Sequence, residues 1–269
     1  MWLHYCKLQN FHYRHVAFLD IAEREGGALE AELTSKFGAL RTKFIRCDVA
    51  SEAALAAAYK QVLDKYHRLD LVVNNAAVVS NDERDYRKMV DINFTATVSS
   101  TLKALALMSR DGGGSGGRGG SVGSRGSGGV VVNMSSLLAL KPVPHLPVYS
   151  ATKSAVLQFS NCIAGLIYLT FLNRGQPFSE THVRVLTVCL GPTDTAIIHR
   201  HNFNKDNYIE TRVSERQRVS SAVAGILDVI STAASGTTWV IADNKPARDV
   251  SIYVTDGFHI VSEATDDVA

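Results

Sequence analysis

The chain has 269 residues, 46% of them apolar, enough to bury a large core as one α/β domain over 1–269. Its 28 Lys and Arg against 26 Asp and Glu leave a net charge of +2, without the broad basic field that a nucleic-acid or anionic-lipid partner needs, so the expected partner is a small, roughly neutral molecule. No run of 18 uncharged apolar residues occurs, and the opening MWLHYCKLQNFHYRH has no apolar stretch followed by a small-residue cleavage site. Neither a membrane span nor a secretory leader is expected.

From His15 onward, short β-branched or apolar runs alternate with longer helical patterns. HVAFLD (15–20) reads as a strand followed by a polar helix to about Phe37, and KFIRCD (43–48) as a second strand. A helix from Glu52 to Tyr66 follows, then LDLVVNN (69–75) as a third strand. Residues 86–110 read as a long helix, VVVNMSS (130–136) as a buried strand, Tyr149 to about Leu172 as a second long helix, and VRVLTVCLG (183–191) as another buried strand. This order predicts a doubly wound parallel sheet with helices on both faces. In such sheets ligands bind beyond the carboxyl ends of the strands, which here are marked by Asp20, Asp48, Asn74, Asn75, Ser135, Ser136 and Gly191.

The helix from Tyr149 is apolar on nearly every side (Ala151, Ala155, Val156, Leu157, Phe159, Ile163, Ala164, Leu166, Ile167), more than one sheet face hides. A homodimer through the helices near 86–110 and 149–172 is therefore expected. Residues 112–129 hold eleven glycines and two arginines in eighteen positions. That composition buries no apolar area and predicts a flexible inserted loop at the sheet edge opposite the ligand crevice. Cys6, Cys47, Cys162 and Cys189 are widely spaced, three of them in or beside apolar runs, and read as reduced core thiols and a cytoplasmic setting. The tail 243–269 carries a strand-like run, DVSIYVTDGFHIV, with no assigned place.

Tyr149-Ser-Ala-Thr-Lys153 puts a phenol and an ammonium on one helix face. A tyrosine hydroxyl ordinarily titrates at about 10, and a fixed positive charge nearby favours the phenolate, so the pair can serve as a base. Ser136, at the carboxyl end of a buried strand, can meet the same substrate oxygen. Asn74-Asn75-Ala76-Ala77 ends another buried strand with two small residues that permit close approach. A carboxylate at Asp20 can accept both hydroxyls of an adenosine ribose and repels a 2′-phosphate, favouring NAD over NADP; alternatively it caps the following helix.

The set Asp48, Asn74-Asn75-Ala76, Asn93, Asn133-Met134-Ser135-Ser136, Tyr149-x-x-x-Lys153 and Leu190-Gly191-Pro192-Thr193-Asp194-Thr195 resembles the classical short-chain dehydrogenases/reductases in order and spacing, over residues 15 to about 242. DVA at Asp48, RLDLVVNNA, NMSSLLAL and PVYSATK look most like the family's 15-hydroxyprostaglandin dehydrogenase branch and its insect relatives. The resemblance implies a Rossmann-type sheet and hydride transfer between NAD and a lipophilic secondary alcohol or ketone, such as a hydroxylated fatty acid or prostaglandin-like molecule. It implies Tyr149 as the base, Lys153 lowering its pKa and holding the nicotinamide ribose, Ser136 polarising the reacting oxygen, and Asn93 keeping a relay water. Asp20, Asp48, Val49, Asn74, Asn75 and Ala76 would line the adenosine side, and Thr193 and Thr195 the carboxamide. Leu138, Leu146 and Ile197 would rim the substrate site beneath a segment from about Ala196 to Ser220. Within it His199, Arg200 and His201 read as a substrate-carboxylate contact or as a solvated basic loop. No metal is implied.

One departure is large. The family begins with a strand and a Thr-Gly-x-x-x-Gly-x-Gly turn ahead of the acidic strand end, whereas residues 1–14 contain no glycine to make a pyrophosphate cradle. The expectation is an N-terminally truncated sheet with two inner edges unpaired. It leaves open a truncated product of a complete gene, or a variant that has abandoned cofactor binding and acts as an inactive dimerisation partner. Leu190 stands where the family usually has proline, and Ala77 where it usually has glycine.

Overall fold

The computed structural model describes residues 15–109, 128–166, 182–195, 197 and 216–266. In chain order these form β1 (Val16–Asp20), α1 (Glu23–Phe37), β2 (Thr42–Arg46), α2 (Glu52–Tyr66), β3 (Leu71–Asn74), α3 (Tyr86–Val90), α4 (Ala96–Met108), β4 (Gly129–Ser136), α5 (Pro147–Leu166), β5 (Val183–Leu190), α6 (Val219–Thr232), β6 (Thr238–Ile241), β7 (Arg248–Asp249) and α7 (Ser251–Asp266). The β-branched runs become strands because both faces of a parallel sheet are covered and polar alternation is not needed. Every ladder is parallel except the short β6–β7 pair.

The described strands make two hydrogen-bonded sheets, β1-β2 and β3-β4-β5-β6-β7, so among the described residues β1 and β3 do not share a ladder. Both sheets nevertheless feed one core. Ile45 and Cys47 from the β2 end cluster with Leu55, Ala58 and Tyr59 of α2 and with Val131 and Val185 of the larger sheet. A second core packs Val132, Leu186 and Val188 against Val223, Ile226 and Ile230 of α6. The α6 carboxyl end is capped from the sheet: the Arg184 guanidinium donates to the main-chain oxygens of Ile230, at 2.7 Å, and Ala233.

The expected long helix at 86–110 is present with internal structure. It runs through α3, a π turn over Asp91–Thr95, and α4, ending at Met108. The helix from Tyr149 starts two residues earlier, at Pro147, and positions 167–172 lie outside the described residues. Along it Val156, Leu157, Ile163 and Ala164 are buried, but Cys162 is exposed and is not a core thiol, whereas Cys47 and Cys189 are. Most of the glycine-rich stretch lies outside the described residues; its final Gly129 belongs to β4 and is not loop.

The tail corrects the sequence reading. Its strand-like run is mostly helix α7, preceded by the two-residue β7. Asp249 Oδ1 accepts from the Ser251 backbone N–H at 2.8 Å and from its hydroxyl, a start signal that outweighs the β-branched content. No described helix is long and apolar enough to cross a membrane, and no described group of His, Cys, Asp and Glu could hold a metal.

Candidate active site

The parallel register brings the strand ends to one side: Asn74 pairs with Asn133, Ser136 with Leu190, and Leu190 with Ile241. β4 runs two residues beyond Met134, placing Ser135 and Ser136 at its end. Helix α5 then carries Tyr149 and Lys153 back across them. Ser135 Oγ donates to the Lys153 main-chain oxygen at 2.8 Å and Lys153 Nζ donates to the Met134 main-chain oxygen at 2.8 Å, so helix and strand end are stitched together twice. Ser136 Oγ accepts from the Leu138 N–H at 3.2 Å, and the Ser136 hydroxyl acts on Tyr149 by favouring its phenolate.

Asn93 sits in the π turn, fully buried. Such turns within helices frequently mark functional sites. Its Oδ1 accepts from the Val78 N–H at 2.8 Å, and its Nδ2 donates to the Val78 oxygen at 2.9 Å and to Thr152 Oγ1 at 3.1 Å. Thr152 Oγ1 in turn donates to the Tyr149 oxygen at 2.7 Å. Asn93 thus ties the chain after β3 to the turn of α5 that holds Tyr149 and Lys153. Thr152, which the sequence reading left out, lies inside the Tyr149–Lys153 stretch, where that position alone could have flagged it.

Behind the strand ends runs a buried polar network. Asn74 Nδ2 donates to Asn133 Oδ1 at 2.8 Å and to Thr101 Oγ1 at 3.1 Å, and Ser100 Oγ donates to Asn74 Oδ1 at 2.5 Å. Asn133 Nδ2 donates to Ser160 Oγ at 2.9 Å, and the Tyr59 hydroxyl donates to the Ser100 oxygen at 3.0 Å. The half-buried Asn74 side chain is thus held by partners inside the protein at the strand end. Asn75 is partly buried and Ala76 exposed at the mouth of the strand.

Electrostatically the site is under tension. Burial pushes Tyr149 up to about 12, with the Ser136 hydroxyl opposing, and pulls Lys153 down to about 8. Tyr149 as a whole residue is only partly buried, so this shift belongs to its enclosed hydroxyl end. The spacing implied a phenol acidified by the ammonium. In this structure Lys153 Nζ is committed to Met134, lies 5.9 Å from the Tyr149 ring centre, and leaves the tyrosine above its ordinary value. Cys189, paired with Ser135 across the β4–β5 ladder, is raised to about 11 by burial, with Ser135 and the Lys153 charge opposing.

The adenosine-side candidates stand at neighbouring strand ends. Asp20 closes β1, with Oδ1 accepting from the Ala22 N–H at 3.0 Å in the turn ahead of α1, whose cap residue Ala22 has no side-chain cap bond, so Asp20 does not cap that helix. Asp48 is exposed after β2, its Oδ1 accepting from the Ala50 N–H at 3.0 Å, and Val49 is partly buried beside it. Beyond β5, Thr193 is buried with Oγ1 donating to the Gly191 oxygen at 2.9 Å, and Thr195 Oγ1 donates to the Thr193 oxygen at 3.3 Å. Gly191 cannot be larger in place: a Cβ there would meet Ala242 Cβ at 2.7 Å. Gln217, for which the sequence held no signal, is fully buried against this loop.

On the other side of Tyr149 lies an apolar cluster. Val79, Val143 and Leu146 are buried and pack with Leu138, Ile197 and the Tyr149 ring. The expected rim residues Leu138, Leu146 and Ile197 therefore come together beside the tyrosine. His199, Arg200 and His201 lie outside the described residues.

Comparison with known proteins agrees with this arrangement. The family model "short chain dehydrogenase" matches residues 8–206. The chain is 32% identical over 246 residues to 15-hydroxyprostaglandin dehydrogenase [NAD(+)] of Macaca fascicularis, covering 91% of this chain and 83% of the relative, and 31% identical over the same length to the Homo sapiens protein. It is 28% identical over 166 residues to alcohol dehydrogenase 1 of Ceratitis capitata, covering 62% of this chain and 55% of that one. Among solved structures, a 3-ketoacyl-(acyl-carrier-protein) reductase from Brucella melitensis complexed with NADH superposes with a TM-score of 0.65 at 17% identity, covering 84% of this chain and 86% of that one. At that identity the likeness speaks for the α/β fold alone. With the family model covering most of its length and the strand ends converging on Ser136, Tyr149 and Lys153, the chain belongs to the short chain dehydrogenase family.

Proposed function

We propose that this chain oxidises a lipophilic secondary alcohol to its ketone with NAD, reversibly, and that Asn93, Ser136, Tyr149 and Lys153 are the residues responsible. The observation that carries the reading is the stitching of the β4 end, which carries Ser136, to the turn of α5 that carries Tyr149 and Lys153, with a buried ammonium on one side and an apolar wall on the other. An alcohol oxygen placed against both hydroxyls is held by Ser136 and gives its proton to the Tyr149 phenolate oxygen. Lys153 is a buried cation bonded to a carbonyl and, among the described residues, to no carboxylate, so its charge can be redirected toward Tyr149 and toward ribose hydroxyls. Asn93 holds α5 in place for that exchange. Asp20, Asp48, Val49, Asn75 and Ala76 would hold the adenosine end of NAD, and Thr193 and Thr195 the carboxamide. The donor set fits the two ends of such a cofactor: a carboxylate at a strand end for the ribose, a buried ammonium, and the Gly191–Thr195 loop closed against β6. When bound, the nicotinamide supplies the hydride acceptor for the carbinol carbon. Leu138, Leu146 and Ile197 favour a long-chain alcohol, such as a hydroxylated fatty acid or a prostaglandin-like molecule, which is also what the names of the mammalian relatives suggest.

The test is NADH formation by the purified chain with a panel of short and long secondary alcohols, beside the Tyr149→Phe variant. Turnover with the long alcohols that vanishes in Tyr149→Phe supports the reading, and retained turnover in that variant overturns the mechanism. The separation of β1-β2 from the larger sheet among the described residues favours a second reading, an inactive paralogue that serves as a dimerisation partner. That reading expects no thermal stabilisation by NAD.

A further inference from the structure

We infer that Gln217 is a positioning residue for the nicotinamide end of the cofactor. The inference rests on the cofactor reading above and adds to it a residue outside the family's motif set. Gln217 lies just before α6 and is fully buried. Its backbone extends the loop after β5 as a short parallel bridge: the Gln217 N–H donates to the Pro192 oxygen and the Asp194 N–H donates to the Gln217 oxygen, both at 3.0 Å. Its side-chain amide does more. Nε2 donates to Thr193 Oγ1 at 2.9 Å and to the Ile241 oxygen at 3.0 Å, with the Gly191 oxygen at 3.4 Å. Two of these acceptors are carbonyl oxygens, which accept only, so the amide nitrogen and not its oxygen must face them.

One amide group therefore clasps the Gly191–Thr195 loop to the carboxyl end of β6, where Gly191 itself donates its N–H to the Ile241 oxygen at 2.8 Å. The orphaned atom on the same side chain shows that packing alone does not explain the choice. Gln217 Oε1 is buried with no hydrogen-bond partner among the described residues, an arrangement that costs stability. A methionine or leucine of similar volume fills the space without that cost. What glutamine adds is the pair of donated hydrogens, one to the loop that carries Thr193 and Thr195 and one to the end of β6 on which that loop packs. Holding this loop in one conformation before ligand arrives removes an ordering cost from binding.

The experiment is equilibrium binding of NAD and of ADP-ribose, the same molecule without its nicotinamide ring, to the full chain and to Gln217→Met. Loss of the clasp is expected to weaken NAD binding about tenfold while ADP-ribose binding stays within about twofold. Equal weakening of both ligands, or of neither, overturns the inference and leaves the cofactor reading standing. A parent chain that binds neither ligand overturns both. Retained ADP-ribose binding reports that the variant is folded. If Gln217→Met fails to fold, Gln217→Leu removes the same donated hydrogens, and the same selective loss is expected of it.

Discussion

Lys153 donates its ammonium to the Met134 main-chain oxygen at 2.8 Å and not to the Tyr149 hydroxyl one helical turn away. Burial holds this group at about 8, below its ordinary 10.5. Between those values the unfolded chain keeps the proton that the folded chain releases, so the contribution of Lys153 to unfolding free energy rises with pH across that window. Lys153→Met removes a buried cation at similar volume. The variant is expected to be more stable than the parent by roughly 1–3 kcal/mol at about pH 7, with the gain shrinking toward about pH 10. Denaturant unfolding of both chains at the two pH values reads the effect, and a gain that does not change with pH contradicts it.

Asn93 spends both its side-chain amide atoms on Val78 and Thr152. Asn93→Ala leaves the Val78 amide and carbonyl without those partners and is expected to cost about 1–3 kcal/mol, whereas Thr152→Val removes a smaller share and should cost about 1 kcal/mol. Urea midpoints compare the two. Equal losses would assign the whole effect to the Thr152 contact.

Gly191 lies so close to β6 that a Cβ would come within 3.1 Å of Ala242 Cα as well as 2.7 Å of its Cβ. Backbone must move to admit it. Gly191→Ala is expected to lower stability by roughly 1–3 kcal/mol and to weaken NAD binding more than ADP-ribose binding, because the displaced loop carries Thr193 and Thr195. An unchanged NAD affinity would detach this loop from the cofactor.

Leu102 and Leu107 on α4 are 44% and 38% exposed, on a helix whose other side is buried through Ala96, Ala104 and Met108. They fit the proposed homodimer through the 86–110 and 149–172 helices. The Leu102→Glu/Leu107→Glu double variant is expected to sediment as a monomer where the parent sediments as a dimer. A parent that is monomeric at micromolar concentration would remove that proposal.

Much of this was legible in the sequence for a physical reason. Val130 to Val132 are buried, as are Val183 and Val185 to Val188, and β-branched runs of this kind are what a parallel strand covered on both faces needs. The convergence of Ser136 with Tyr149 and Lys153 followed from strand-end and helix-face geometry. Three things did not follow. The four-residue β6 carries too little pattern to announce itself, and its place beside β5 is a tertiary fact. The tail run was read by its β-branched residues, although its fate was decided by Asp249 capping Ser251. Gln217 joins its loop across 24 residues of sequence separation, a distance that no local motif spans.

The small sheet also has a core of its own. Phe18, Leu33 and Phe44 bury one another beneath α1, and Gly26 lies so near the Phe44 ring that a Cβ would sit 2.2 Å from it. Cohesion of this kind, with the β1-β2 ladder separate from the other five strands among the described residues, lets the unit open while the rest stays shut. Amide protons of Phe18 and Phe44 should accordingly exchange with solvent as one early group, ahead of those of Val131 and Val132. Native-state hydrogen exchange would then resolve two melting units in a chain whose sequence reads as one.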